Sequence, residues 1–143
     1  MTPGADPNST SGAQRAPRGN GEHVLYVDDE AALVAVASRT LEILGYRVTG
    51  AFGPAEALAL FSKDPAAFDL VVTDYEMPGG SGLDMVTEMM RLRPNLPVIL
   101  ATGLLAPRDE GRVREAGVRE LFLKPYTPRE LGDLVHRVLS GRR

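Results

Sequence analysis

The chain of 143 residues is long enough for one domain with its own core and short for two. With 43% hydrophobic and 24% charged residues its composition is that of a globular protein, no apolar run approaches the roughly 20 residues that span a bilayer, and the N-terminus lacks the apolar stretch of a secretory signal. The absence of cysteine excludes a disulfide framework and a thiolate zinc site and fits a cytoplasmic protein, and the net charge of −3 speaks against a nucleic-acid binder.

Residues 1–21 are rich in Pro, Gly, Ser and Asn and hold almost nothing large and apolar. Such a segment buries too little surface to offset its ordering entropy, so it reads as a disordered tail or linker ahead of a domain at 22–140. The first strand-like run, His23–Asp28, leads straight into two further acids, Asp29 and Glu30. A helix follows, with Leu33, Val36, Leu41 and Leu44 at helical spacing and Gly45 as its stop. Tyr46–Ala51 is the second strand, and Gly53-Pro54 opens a second helix with Pro at its first position. Phe68–Thr73 is the third strand and delivers Asp74. Ser81 reads as the N-cap of a third helix that Pro94 closes. Pro97–Ala101 is the fourth strand, leading to Thr102, and a short polar helix from Pro107 to Ala116 follows. Glu120–Leu123 is the fifth strand, ending in Lys124. The sequence Thr127-Pro128-Arg129-Glu130 is a capping box, and Leu131, Leu134, Val135, Val138 and Leu139 form the apolar stripe of the last helix. Nothing after that helix reads as a further domain.

Strands alternating with helices call for a mostly parallel sheet covered on both faces, a doubly wound three-layer α/β sandwich. Its strand C-termini share one edge, where such folds bind ligands. That edge collects Asp28, Asp29, Asp74, Thr102 and Lys124, whereas His23 and His136 fall away from it. Each residue has an ordinary reading: Asp29 caps the first helix, Asp74 opens a turn, Thr102 is a loop residue, and Lys124 is a solvated charge. If the first and third strands are neighbours, however, three carboxylates meet and repel unless a cation sits among them. Oxygen ligands with room for water suit Mg²⁺. An ammonium and a hydroxyl around such a centre make a phosphoryl receptor, and an aspartate there can itself be the nucleophile, for which Asp74 is the best placed. Lys124 is one of only two lysines beside fourteen arginines, which marks a position suited to a compact ammonium.

The segments VLYVDDE, VVTDYEMPGGSG, VILATG and LFLKPY, in this order and spacing, resemble the receiver domain of two-component response regulators over about residues 22–140. The resemblance implies a flavodoxin-like five-stranded sheet of order 2-1-3-4-5 and a cis Lys124–Pro125 peptide. It implies that Asp74 takes a phosphoryl group from a histidine kinase or histidine phosphotransfer protein of a bacterial phosphorelay. Mg²⁺ would be held by Asp28, Asp29, Asp74 and the backbone carbonyl of Glu76, while Thr102 and Lys124 bind phosphoryl oxygens. Switching would act on a downstream protein partner, or on a phosphorylation-dependent dimer, through the face of the fourth helix, fifth strand and fifth helix. Tyr126 is expected to be exposed on that face. The chain would then be a signalling module rather than an enzyme acting on other substrates, either free or as the terminal receiver of a hybrid sensor kinase.

Two positions depart from the family pattern. The aromatic switch residue three positions before the lysine is replaced by Leu121, with Phe122 expected on the opposite face. Glu76 puts an acid where the family tunes phosphoryl lifetime. Two other readings stand beside this one: a Mg²⁺-dependent phosphohydrolase, for which no cap domain is evident, and a receiver that works without phosphorylation.

Overall fold

The structure, a computed structural model, describes residues 19–103, 107–124 and 126–141. Residues 1–18 of the tail assigned to residues 1–21, and the Lys124–Pro125 peptide, therefore lie outside the described residues. Residues 19–21 run beside the first helix–strand turn, with the Gly19 and Gly21 N–H groups donating to the carbonyls of Leu44 and Gly45.

In chain order the elements are β1 (His23–Val27), α1 (Ala31–Ile43), β2 (Arg47–Ala51), α2 (Pro54–Lys63), β3 (Leu70–Asp74), β4 (Glu76–Met77), β5 (Gly80–Ser81), α3 (Gly82–Leu92), β6 (Val98–Thr102), α4 (Pro107–Glu115), β7 (Glu120–Leu123) and α5 (Pro128–Ser140). The main sheet is parallel with order β2-β1-β3-β6-β7. Counting only its five members, this is the expected 2-1-3-4-5. The pair β4 and β5 is a separate antiparallel hairpin that the sequence reading did not anticipate, because two-residue strands carry no period-2 signal.

Alternation along each strand feeds two cores. From β1, Val24 and Tyr26 face α1 and α5 and pack with Leu41, Leu131 and Val135. Leu25 and Val27 face α2 and α3 and pack with Phe61, Val86 and Met89. All four are buried, as expected of a central parallel strand covered on both faces. A third cluster of Tyr75, Leu83, Leu100 and Val113 sits under α4.

The helix ends follow local chemistry. Gly45 adopts φ 101° just after α1, and the N–H groups of Gly45 and Tyr46 donate to the carbonyls of Glu42 and Leu41, a Schellman closure. Ser81 Oγ accepts from the N–H groups of Leu83 and Asp84, and both halves of the Thr127–Glu130 capping box form. These secure the starts of α3 and α5, both of which begin beside the C-terminal edge of the sheet. Among the described residues no helix is long and apolar enough to cross a membrane.

Candidate functional site

The register of β1 against β3 pairs Val27 with Thr73, so the residues that follow, Asp28 and Asp74, emerge side by side. Asp28, Asp29 and Asp74 each offer a carboxylate oxygen, and these atoms lie within 4.8 Å of one another. Strand alternation separates the neighbours in the first pair: Asp28 is 1% exposed, whereas Asp29 is on the surface. Lys124 enters from the end of β7, 96 positions away from Asp28 in sequence, and its Nζ lies 3.0 Å from Asp28 Oδ2 and 3.4 Å from Asp74 Oδ1. The Lys124 N–H also donates to the Thr102 carbonyl at 2.9 Å, which ties its backbone to the buried end of β6. The structure thus gathers four of the expected residues by measured contacts and sets Thr102 beside them on the adjoining strand end.

Burial pushes the Asp74 carboxyl above its ordinary value; the Lys124 ammonium opposes this, and the Asp28 charge adds to it. Burial is also the largest single influence on Lys124 and lowers its pKa. The hydrogen bond and charge of Asp28, with those of Asp74, outweigh it, and the ammonium is held above its ordinary value. Three carboxylates facing one ammonium carry an excess of negative charge, and all their donor atoms are hard oxygens. That donor set fits a divalent cation of the Mg²⁺ type.

The ordinary reading of Asp29 as the cap of α1 does not hold. The N-cap is Glu30, with no side-chain cap bond, and the turn is held instead by Asp28, whose Oδ1 accepts the Glu30 N–H at 3.0 Å. Burial explains the exchange: the inward carboxylate needs donors, and a main-chain N–H two residues on is within reach. Glu76 lies in β4 with an exposed side chain. Leu121 packs with Tyr75, Leu83, Leu100 and Val113, while Phe122 packs on the α1/α5 side, so the two are on opposite faces as alternation requires. Tyr126 is half-buried rather than exposed: its ring stacks on Phe122 with centroids 4.8 Å apart, and its hydroxyl pairs with that of Tyr26.

Sequence reasoning missed two neighbours of Asp74. Gly82, the first residue of α3, passes so close that a Cβ there would stand 2.0 Å from the Asp74 carbonyl oxygen, and its N–H donates to the Tyr75 carbonyl at 2.7 Å. Thr73 Oγ1 donates to the same Asp74 carbonyl at 3.0 Å. The Gly79-Gly80 turn, with both residues at positive φ, brings α3 back onto the end of β3. The run PGGSG was the available signal for this return, but its length does not say what the last glycine approaches. A cavity of about 430 Å³ opens beside the site, lined by Glu30, Leu33, Gly103, Lys124 and Tyr126.

Comparison with known proteins agrees with this fold. The response regulator receiver domain family matches residues 24–136. The chain is 34% identical over 118 residues to response regulator SaeR of Staphylococcus aureus, covering 82% of this chain and 50% of that protein, so it spans about half the length of such curated relatives. Among solved structures, a receiver domain protein from Methanospirillum hungatei superimposes with a TM-score of 0.81 at 27% identity, covering 85% of this chain and 96% of the other. The non-phosphorylated HemR receiver domain of Leptospira biflexa does so with a TM-score of 0.80 at 32% identity, covering 85% and 97%.

Proposed function

The chain belongs to the response regulator receiver domain family, and on that premise we propose that Asp74 accepts a phosphoryl group from a phosphohistidine. The observation that carries this reading is the contact of one ammonium, Lys124, with both Asp28 and Asp74 at the carboxyl edge of the sheet. An Asp74 oxygen attacks phosphorus, the N–P bond breaks, and its electron pair leaves with the imidazole, which takes a proton from solvent. The Lys124 ammonium, already 3.4 Å from Asp74, is close enough to pass to an oxygen of the new phosphoryl group. Thr102 offers its hydroxyl to another. Asp28, Asp29, Asp74 and the Glu76 carbonyl would hold Mg²⁺, which when bound supplies positive charge to the phosphoryl oxygens.

In this reading the chain catalyses only its own phosphorylation and dephosphorylation. It acts in the cytoplasm on a downstream protein through the face of α4, β7 and α5. New phosphoryl contacts with Thr102 and Lys124 shift the population between two arrangements of that face. The exposed Glu76 carboxylate adds negative charge near the site and tunes metal affinity or phosphoryl lifetime; an unchanged half-life and Mg²⁺ affinity in Glu76→Asn would sink that assignment.

The test is incubation with Mg²⁺ and a small acyl-phosphate donor, followed by intact mass. Stable mass gain that disappears in Asp74→Asn supports the phosphoacceptor. Turnover of varied phosphoesters points to a phosphohydrolase instead, and absence of labelling points to a receiver that works without phosphorylation.

A further inference from the structure

Tyr26 is the fourth residue of β1, 2% exposed, in a strand whose other core positions are aliphatic. A leucine or phenylalanine there would fill the same space without a polar atom to satisfy, and burying a hydroxyl is costly unless it is bonded. Its hydroxyl is paired with that of Tyr126, 100 positions away in sequence. The two tyrosines stand in symmetrical relation to the site: Tyr26 precedes Asp28 by two residues, and Tyr126 follows Lys124 by two. The Asp28–Lys124 ion pair and the Tyr26–Tyr126 hydroxyl pair are thus two cross-links between the same two chain segments.

The second cross-link is backed by packing. The Tyr126 ring stacks on Phe122 at 4.8 Å and 23°, and Phe122 and Tyr126 both pack against the cluster that contains Tyr26, Val24 and Leu131. Burial raises the pKa of both hydroxyls, so both stay protonated and one donates to the other. Lys124 is a fifth exposed on a flexible stem, and its ammonium must leave Asp74 for a phosphoryl oxygen while staying in reach of Asp28. A backbone anchor that does not depend on the ammonium's own contacts meets that need.

We propose that Tyr26 and Tyr126 are positioning residues whose hydroxyl pair anchors the segment after β7 to β1 and so holds the Lys124 ammonium in register with Asp28 and Asp74. This rests on the phosphoacceptor reading for its kinetic consequence, but its structural consequence can be read without it.

The experiment compares the full chain with Tyr26→Phe, Tyr126→Phe and the double variant, each of which keeps the rings and their packing. Labelling by an acyl-phosphate donor with Mg²⁺ is expected to slow about five- to tenfold in each single variant, within the hundredfold that a 1 Å misplacement can cost. The double variant is expected to be no slower than either single one, because both remove the same bond. In parallel, the ¹⁵N resonance of the Lys124 ammonium is expected to shift in each variant relative to the unaltered chain while the dispersion of the amide spectrum is kept. An unmoved Lys124 resonance overturns the proposal whatever the labelling shows. Additive losses in the double variant also overturn it, since the hydroxyls would then act separately. A wild-type chain that takes no label refutes the phosphoacceptor reading alone, and the Lys124 resonance then decides the anchor by itself.

Discussion

Replacing Gly82 by alanine tests whether the close return of α3 onto β3 is as tight as the geometry says. Taken as a helix residue alone, Gly82→Ala should stabilise: its φ is outside the left-handed region, and alanine is favoured over glycine in a helix by about 1 kcal/mol. The tertiary contact reverses the sign. The new Cβ would lie 2.0 Å from the Asp74 carbonyl oxygen, and Cβ atoms do not approach within 3.0 Å, so either α3 or the end of β3 must move by about 1 Å. The obstacle is backbone and cannot rotate away. That displacement strains the Gly82–Tyr75 hydrogen bond of 2.7 Å, worth about 1 kcal/mol, and overpacks the joint at about 1–3 kcal/mol. After the helix gain is subtracted, a net loss of about 1–3 kcal/mol remains. For a chain of this size that corresponds to a fall in melting temperature of about 4–12 °C. Urea unfolding gives the free energy directly, with Gly111→Ala as the control. Gly111 lies inside α4 with open space around it, so alanine there should stabilise by about 0.5–1 kcal/mol. If Gly82→Ala proves as stable as the unaltered chain, the close approach is not a constraint and the reasoning fails. Because the same 1 Å lies at Asp74, acyl-phosphate labelling of the folded variant should slow as well.

Lys124→Met should destabilise by about 1–3 kcal/mol in denaturant unfolding, since it leaves the buried Asp28 without the ammonium 3.0 Å away; the partial exposure of Lys124 keeps the figure below that of a fully buried pair. Saturating Mg²⁺ should raise the unfolding free energy of the unaltered chain by about 2.7 kcal/mol at a hundred times its dissociation constant, and Asp29→Asn should weaken that gain; calorimetry with and without chelator reads both. His23 lies at the opposite end of β1 and has its pKa lowered, first by burial and then by the Arg47 charge. The unfolded chain therefore binds more protons below the ordinary histidine pKa, so stability should fall as pH drops through about 6.5 and toward the lowered folded value. His23→Gln should flatten that slope, and an unchanged slope across this window would show that another group is responsible.

Much of the site was legible because its signals are local. The apolar run of β1, the Ser81 cap and the Thr127–Glu130 capping box are each set by residues close together in the chain, and each forms as read. Parallel pairing then requires the strand ends to share an edge, which is enough to assemble Asp28, Asp74, Thr102 and Lys124 on paper. Identical neighbours were beyond that reach. Asp28 and Asp29 read alike in sequence, yet one is buried against Lys124 and the other faces solvent, and the first rather than the second holds the turn into α1.

The sequence by itself therefore determined the five helices and the five strands of the main sheet, their order and the edge on which chemistry collects, because hydrophobic patterning, capping and strand polarity act over short stretches of chain. Only the tertiary structure decided that Lys124 contacts both Asp28 and Asp74, that Gly82 abuts the Asp74 carbonyl, and that Tyr26 meets Tyr126. The Lys124 and tyrosine contacts join residues about 50 to 100 positions apart, and the Gly82 approach is set by a hairpin of two-residue strands. Such contacts depend on how the crossovers and turns close, and no local pattern specifies which side chains then touch.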